Sequence, residues 1–274
     1  MPTMDQVDPA ITYSLFKGEP GTRKSTVALT YPKPQYWFSF DQKMESLGIP
    51  MRNFRIDPKD IEFDDYKDWN AAKAKLESLQ VNPLMKDKRK IATLIVDSIT
   101  SMGDATNQQT LQTKGMARKS GDGEQGKVIA GIAVNSVEDY NAEMAVFQEL
   151  IALTKDIHKH YAINVILIGH ILQTEQKSLD GKTHFSRTLV TGGKKAAAKI
   201  PAYCTEIYHF NIKMGLNASS GGQYELFTVH TGDDFARTAL PLNEEIIFGN
   251  DNFYDRYIIP AVKKMKGEVS MLSA

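Results

Sequence analysis

Apolar residues in this chain gather in short runs set between long polar stretches, and several of those runs are continuous rather than alternating. Tyr13-Ser14-Leu15-Phe16 leads directly into a turn rich in glycine and proline. Ile91-Ala92-Thr93-Leu94-Ile95-Val96 ends in Asp97-Ser98, and Asn164-Val165-Ile166-Leu167-Ile168 ends in Gly169-His170. A strand with one wet face alternates; a continuous run suits a strand covered on both faces, as in a parallel sheet between layers of helices. The aromatic run Gln35-Tyr36-Trp37-Phe38-Ser39-Phe40 ends at Asp41 and follows Tyr31-Pro32-Lys33-Pro34, where proline stops the preceding helix. Helical spacing recurs elsewhere. Val137, Tyr140, Met144, Phe147, Ile151, Thr154 and His158 predict a long helix over 136–161, and Trp69, Ala72, Leu76 and Leu79 predict the buried face of a covering helix over 65–79. Shorter helices are expected over 196–202 and 254–266, and 204–212 with 224–230 reads as an antiparallel ribbon. The segments 100–131 and 172–191 are glycine- and lysine-containing without clear period and read as loops. The fold class expected is α/β: one domain over 1–274 with a mostly parallel central sheet flanked by helices, a C-terminal antiparallel ribbon, and flexible ends at 1–11 and 267–274.

The candidate chemistry begins at the first run. Gly18-Glu19-Pro20-Gly21-Thr22-Arg23-Lys24-Ser25-Thr26 separates that run from the apolar pattern Val27-Ala28-Leu29, giving strand, turn and helix in order. A glycine-rich turn entering a helix points backbone N–H groups at one spot and wraps a chain of phosphates. In such a loop Lys24 reaches the outer phosphates and the Ser25 hydroxyl holds Mg²⁺. The pattern G-x-x-x-x-G-K-[ST] is broken at Arg23, which occupies the place of a glycine. A side chain there is unfavourable at positive φ, so either ordinary right-handed dihedrals or a distorted loop is expected, with Arg23 near the nucleotide or in solvent. Asp97, closing a buried strand, is the second candidate metal ligand. Asp41 or Glu45 would position water, Asp41 having the alternative of capping a helix over 42–47. His170 either senses the terminal phosphate or is structural, and Arg237 either reaches a neighbouring subunit's nucleotide or fixes its own loop.

Composition narrows the class without choosing the function. The chain has 274 residues, 42% of them hydrophobic, enough for a full core, and Lys+Arg balances Asp+Glu at 33 each, so any nucleic-acid binding must come from local clusters. The basic run 86–90 is expected to be a solvated connection. The single cysteine, Cys204, allows no intramolecular disulfide and reads as a small buried side chain. No run approaches the roughly 18 apolar residues of a membrane span, and the start of the chain lacks an apolar signal core, so a soluble cytoplasmic protein is expected. His158 and His160 read as helix-end cations, with no Cys/His spacing suited to zinc.

In this order, phosphate loop, strand ending in a carboxylate, Val96-Asp97-Ser98, long helix, strand with a polar end, loop and Thr191-Gly192-Gly193, the pieces resemble the RecA-type ATPase core over about 13–242. The Gly-x-Pro-Gly-x-Arg-Lys-Ser loop is more narrowly similar to the phage-encoded RecA-like ATPases of the Sak single-strand annealing group. That resemblance implies ATP and Mg²⁺ as cofactors, ATP hydrolysis, single-stranded DNA as partner, a homo-oligomeric ring or filament, and a single-strand binding protein as a further partner, in the bacterial host cytoplasm. Carried onto this chain, the DNA-facing loops are 113–127 and 173–191, with Lys114, Arg118, Lys119, Lys177, Lys182 and Arg187 on the backbone; Arg237 or Lys194 would complete a neighbour's site. Arg23, the lack of a clean glutamate near Asp41 and the lack of an N-terminal polymerisation helix depart from RecA. A P-loop kinase and a nucleotide-binding structural or regulatory protein remain the competing classes.

Overall fold

The computed structural model describes residues 8–120, 128–129, 132–133, 137–177, 183–191, 194–213, 222–231 and 235–267. In chain order the strands are β1 (Tyr13–Gly18), β2 (Gln35–Ser39), β3 (Ile61–Asp65), β4 (Thr93–Asp97), β5 (Val128–Ile129), β6 (Ile132–Ala133), β7 (Asn164–Lys177), β8 (Thr183–Leu189), β9 (Glu206–Lys213), β10 (Gln223–Phe227) and β11 (Glu245–Phe248). The helices are α1 (Lys24–Ala28), α2 (Gly48–Asn53), α3 (Trp69–Val81), α4 (Ile99–Ser120), α5 (Val137–Tyr161), α6 (Lys194–Tyr203) and α7 (Ile259–Met265). The main sheet runs β11-β10-β9-β1-β7-β4-β2-β3, with β8 paired to β7. From β9 to β3 its pairs are parallel; β10 and β11 extend it antiparallel.

The continuous apolar runs are the central strands, and their side chains alternate between two cores. Tyr13 and Leu15, with Leu94, Val96, Val165 and Leu167, face α3, α4, α5 and α6. Phe16, Ile95, Ile166 and Ile168 face α1 and the C-terminal segments, with Trp37, Phe210 and Phe253. Burial on both faces is why no polar alternation shows in the sequence. The covering helix is as expected in type and face: Trp69, Ala72, Leu76 and Leu79 are buried, and the Asp68 carboxylate accepts from the Ala71 N–H to start it at Trp69 rather than at 65. Trp69 itself donates from Nε1 to Glu149 of α5 at 3.0 Å. Cys204 is buried as expected, and burial pushes its thiol up to about 12.

Several expectations are overturned. Residues 100–120 of the segment read as a loop belong to α4, so Lys114, Arg118 and Lys119 stand on a helix; residues 121–127 lie outside the described residues. Gly103 does not break this helix because it packs close to α5, where a Cβ would lie 2.7 Å from the Glu143 carboxylate. The second expected loop is a hairpin: β7 continues past His170 to Lys177 and returns as β8, with Gln173 opposite Arg187. Lys177 is the last residue of β7, and Lys182 lies outside the described residues. The edge strands β3 and β11 have no counterpart in the sequence reading. The run 86–90 is less free than expected, since Arg89 pairs with Asp60 and Asp87. His158 donates from Nδ1 to the Ile163 carbonyl at 2.8 Å, and burial lowers its pKa, so it acts as a neutral donor rather than a helix-end cation. Among the described residues no helix is long and apolar enough to cross a membrane, and no cluster of metal-ligating side chains of three or more His, Cys, Asp or Glu occurs.

One close approach fixes the end of β1. A Cβ on Gly18 would lie 2.3 Å from the backbone carbonyl oxygen of Phe210 on β9, a contact that neither strand can relieve without shifting. Gly18→Ala is expected to cost about 1–3 kcal/mol of stability, read as a lower urea midpoint with unchanged m-value.

Candidate nucleotide site

The site lies at the C-terminal ends of the parallel strands, where the chain must turn and backbone groups are free for a ligand. There the loop after β1 and the strands β2, β4 and β7 deliver Lys24, Asp41, Asp97 and His170 around a cavity of about 340 Å³, within the range of small-ligand sites. The loop after β1 curls around Lys24, whose Nζ donates to the carbonyls of Gly18 at 2.8 Å and Glu19 at 2.7 Å. The Thr22 hydroxyl closes the curl by donating to Glu19 O at 2.8 Å. Burial lowers Lys24 to a pKa of about 8, against the opposing pull of Asp97, Asp41 and Glu19.

Ser25 donates from Oγ to Asp97 Oδ2 at 2.7 Å, joining the loop helix to the end of β4 across 72 residues of sequence. Burial pushes Asp97 up to about 6, with Asp41 adding to the rise and the Ser25 hydrogen bond and Lys24 opposing it. Asp41 behaves in the opposite way. Burial favours its neutral form, but hydrogen bonds from His170, Ser101 and Ser98 outweigh that and hold it well below the usual carboxylate range. Its Oδ1 accepts from Ser98 Oγ at 2.8 Å and from Ser101 Oγ, and its Oδ2 lies 3.4 Å from His170 Nε2. It therefore does not cap the following turn, which is a short 3₁₀ helix, Met44–Leu47. His170 is anchored a second time, its N–H donating to Thr100 Oγ1 at 3.0 Å, while its Nδ1 is buried with no hydrogen-bond partner among the described residues.

Lys24, Ser25, Asp41, Asp97 and His170 are thus brought together. Glu45 is not: it is exposed on the 3₁₀ helix, where Met44 and Leu47 line the cavity instead. Arg237 is not either. It bridges to Ile207, toward the start of β9 and away from Phe210, which lies beside Gly18, and its guanidinium donates to the carbonyls of Cys204 and Pro201. It fixes its own loop. Thr191 is described, but residues 192–193 of the Thr191-Gly192-Gly193 motif lie outside the described residues.

Arg23 departs from the expected right-handed dihedrals and lines the cavity. It keeps the left-handed backbone of the glycine it replaces, φ 66° and ψ 24°, a conformation that costs an L-residue about 1–2 kcal/mol. Its guanidinium stacks 3.9 Å from the centre of the Tyr224 ring. The hydroxyl set Ser98, Thr100 and Ser101 was the other feature not foreseen. Its trace in the sequence is the hydroxyl-rich start of α4, where Ser98 Oγ accepts from the Ser101 N–H at 3.2 Å as a cap.

The sequence matches an AAA domain over residues 14–238, which is most of the chain. The chain belongs to the AAA-domain family. In this AAA-family chain the loop strand β1 is flanked by β7 and β9 in a mostly parallel sheet covered by helices. The structure is similar to the crystal structure of the RadB recombinase, with a TM-score of 0.49 and 12% identity covering 89% of each chain, a level of likeness on which nothing below depends. No curated protein matches the sequence.

The raised Asp97 gives a signed pH dependence. Between about 4 and about 6 the folded protein holds a proton that the unfolded chain has released, so this group's contribution to stability falls as pH rises through that window. Asp97→Asn removes the term. Urea midpoints of the ligand-free proteins measured across pH 4–7, a range of about three units, are expected to diverge in favour of the variant toward the upper end.

Proposed function

We propose that the protein is a Mg²⁺-dependent ATPase that acts on single-stranded DNA. The observation that carries the nucleotide part is the Ser25–Asp97 hydrogen bond of 2.7 Å beside a lysine held in the curl of the loop. Both partners are hard oxygen donors, the set Mg²⁺ prefers, and His170, which lines the same cavity, carries a buried Nδ1 without a hydrogen-bond partner among the described residues. Phosphate and metal fit these residues. Ser25 Oγ and the Asp97 carboxylate would hold the ion, which when bound neutralises charge on the phosphate oxygens.

The rest of the work falls to the chain. Lys24 exchanges the Gly18 and Glu19 carbonyls for phosphate oxygens, and gaining anionic partners restores its full charge. Met44 and Leu47 supply an apolar wall for the base. Asp41 is too acidic to take a proton at neutral pH; its part is to orient His170 and the attacking water. A nucleotide-operated switch with little turnover is the second reading, favoured by the bonding of Asp41, which already accepts from two hydroxyls and faces His170.

The DNA part rests on connectivity. β7 runs without interruption from the nucleotide site at His170 into the β7–β8 hairpin, where Arg187 donates from Nε to Gln173 Oε1 at 3.3 Å. A shift of His170 on nucleotide turnover is therefore passed directly to the hairpin. Lys177, Lys182 and Arg187, with Lys114, Arg118 and Lys119 of α4, are the proposed backbone contacts. Assembly into a homo-oligomer leaves Lys194, at the start of α6, as the candidate for completing a neighbour's site.

Purified protein assayed for ATP hydrolysis with Mg²⁺ and titrated with single-stranded DNA tests this reading. Stimulation by DNA is expected; binding of ATP without turnover in either condition selects the switch. Lys24→Ala is expected to abolish nucleotide binding, and unchanged ATP affinity would sink the site assignment. Neutralising Lys114, Arg118 and Lys119 together should lower the slope of log K against log salt by about 0.7 per lost contact. An unchanged slope returns α4 to a purely structural part.

A further inference from the structure

The phosphate-loop helix α1 is short and bare at its start. It spans five residues, and no side chain caps its first turn, which leaves those N–H groups free for an anion but also leaves the helix weakly defined by its own sequence. What holds it comes from the far end of the chain. At its start, Arg23 donates from Nη1 to the Gly249 carbonyl at 3.1 Å and to Asn250 Oδ1 at 2.8 Å, while stacking on Tyr224 of β10. At its end, the Tyr254 N–H donates to Thr30 Oγ1 at 3.2 Å, and the Tyr254 ring packs on Tyr31 with centroids 4.8 Å apart. Residues 249–254 thus form a strap that grips α1 on both sides.

We propose that Arg23 is a positioning residue that sets the shape of the phosphate loop through its side chain, so that Tyr224 and Asn250 tune nucleotide affinity without touching the nucleotide. This deepens the nucleotide-binding reading and rests on it. A glycine at this position would adopt φ 66° freely, and would equally leave it freely. Arginine replaces that freedom with a planar fork and a stacking face, both of which are satisfied only when the loop is in the observed conformation. Arg23 itself lines the cavity, but its partners Tyr224, Gly249 and Asn250 do not; they lie on the antiparallel edge formed by β10 and the turn after β11. The loop is therefore organised before ligand arrives, and the ordering cost is met by folding rather than by binding.

The test is a double-mutant cycle read by equilibrium binding of a fluorescent ATP analogue with Mg²⁺, using the full chain. Arg23→Gly and Tyr224→Ala are each expected to raise Kd about fivefold, while Tyr224→Phe, which keeps the ring, stays at the wild-type value. In the Arg23→Gly background Tyr224→Ala should have no further effect. Asn250→Ala, on an exposed side chain, repeats the test without touching the core; it is expected to raise Kd about twofold in the wild type and not in the Arg23→Gly background. Melting temperatures of the ligand-free variants accompany each Kd, and the coupling must appear in Kd among variants that melt with the wild type. Equal losses for Tyr224→Ala or Asn250→Ala in both backgrounds, or an unchanged Kd for Arg23→Gly, overturn the proposal. Failure of the nucleotide reading itself would show separately, as Lys24→Ala binding the analogue like wild type.

Discussion

Three charged groups, Lys24, Asp41 and Asp97, meet at one edge of a sheet buried on both faces, and the structure around them serves to keep that meeting tolerable. Charges placed where water is scarce must be paired or neutralised. The protein meets this in three different ways: Lys24 is solvated by loop carbonyls, Asp41 by hydroxyls and an imidazole, and Asp97 by a raised proton affinity and one serine. These solutions depend on one another, because Asp41 raises Asp97 and both oppose the lowering of Lys24. A ligand bearing phosphate and a divalent ion replaces internal compensation with external charge, so the residues least at ease in the free protein are those best prepared to bind.

The hydroxyl cluster at the start of α4 ties this charge balance to the architecture. Ser98 caps the helix and bonds Asp41 at the same time, while Thr100 receives the backbone N–H of His170. The ends of β2 and β4 and the midpoint of β7 are thereby tied to the first turn of one helix. The β7–β8 hairpin continues from His170, so its base is tied to the site.

What was legible in the sequence follows from burial. The central strands and the faces of α3 and α5 could be read because most side chains enclosed there are apolar, the buried polar ones such as Ser14 and Thr154 being hydrogen-bonded. Strands β3 and β11 could not. They are short edges, and Ile61-Glu62-Phe63-Asp64-Asp65 carries the charges that keep an edge from pairing with another chain. Helix α4 was hidden by glycines and polar residues whose helical state is imposed by packing on α5, and the hairpin by a polar sequence without clear alternation. In the site, Lys24, Ser25 and Asp97 announced themselves by type and spacing. The duties of Arg23 and Arg237 did not, because each is decided by partners distant in sequence, 226 residues away for the Gly249 carbonyl in the first case and 33 for the Cys204 carbonyl in the second.

The two cores also differ in a way that light can follow. The chain contains two tryptophans, and the fold puts one on each side of the sheet: Trp37 among the residues packed with α1, and Trp69 among those packed with α5. Trp37 donates to a neighbouring glutamine within a fully enclosed setting, whereas Trp69 donates to a half-exposed glutamate. Their emission is therefore expected to differ in colour and quenching. Replacing either one leaves a single built-in reporter, and the pair distinguishes events that reach the nucleotide face of the sheet from those confined to the opposite helical layer.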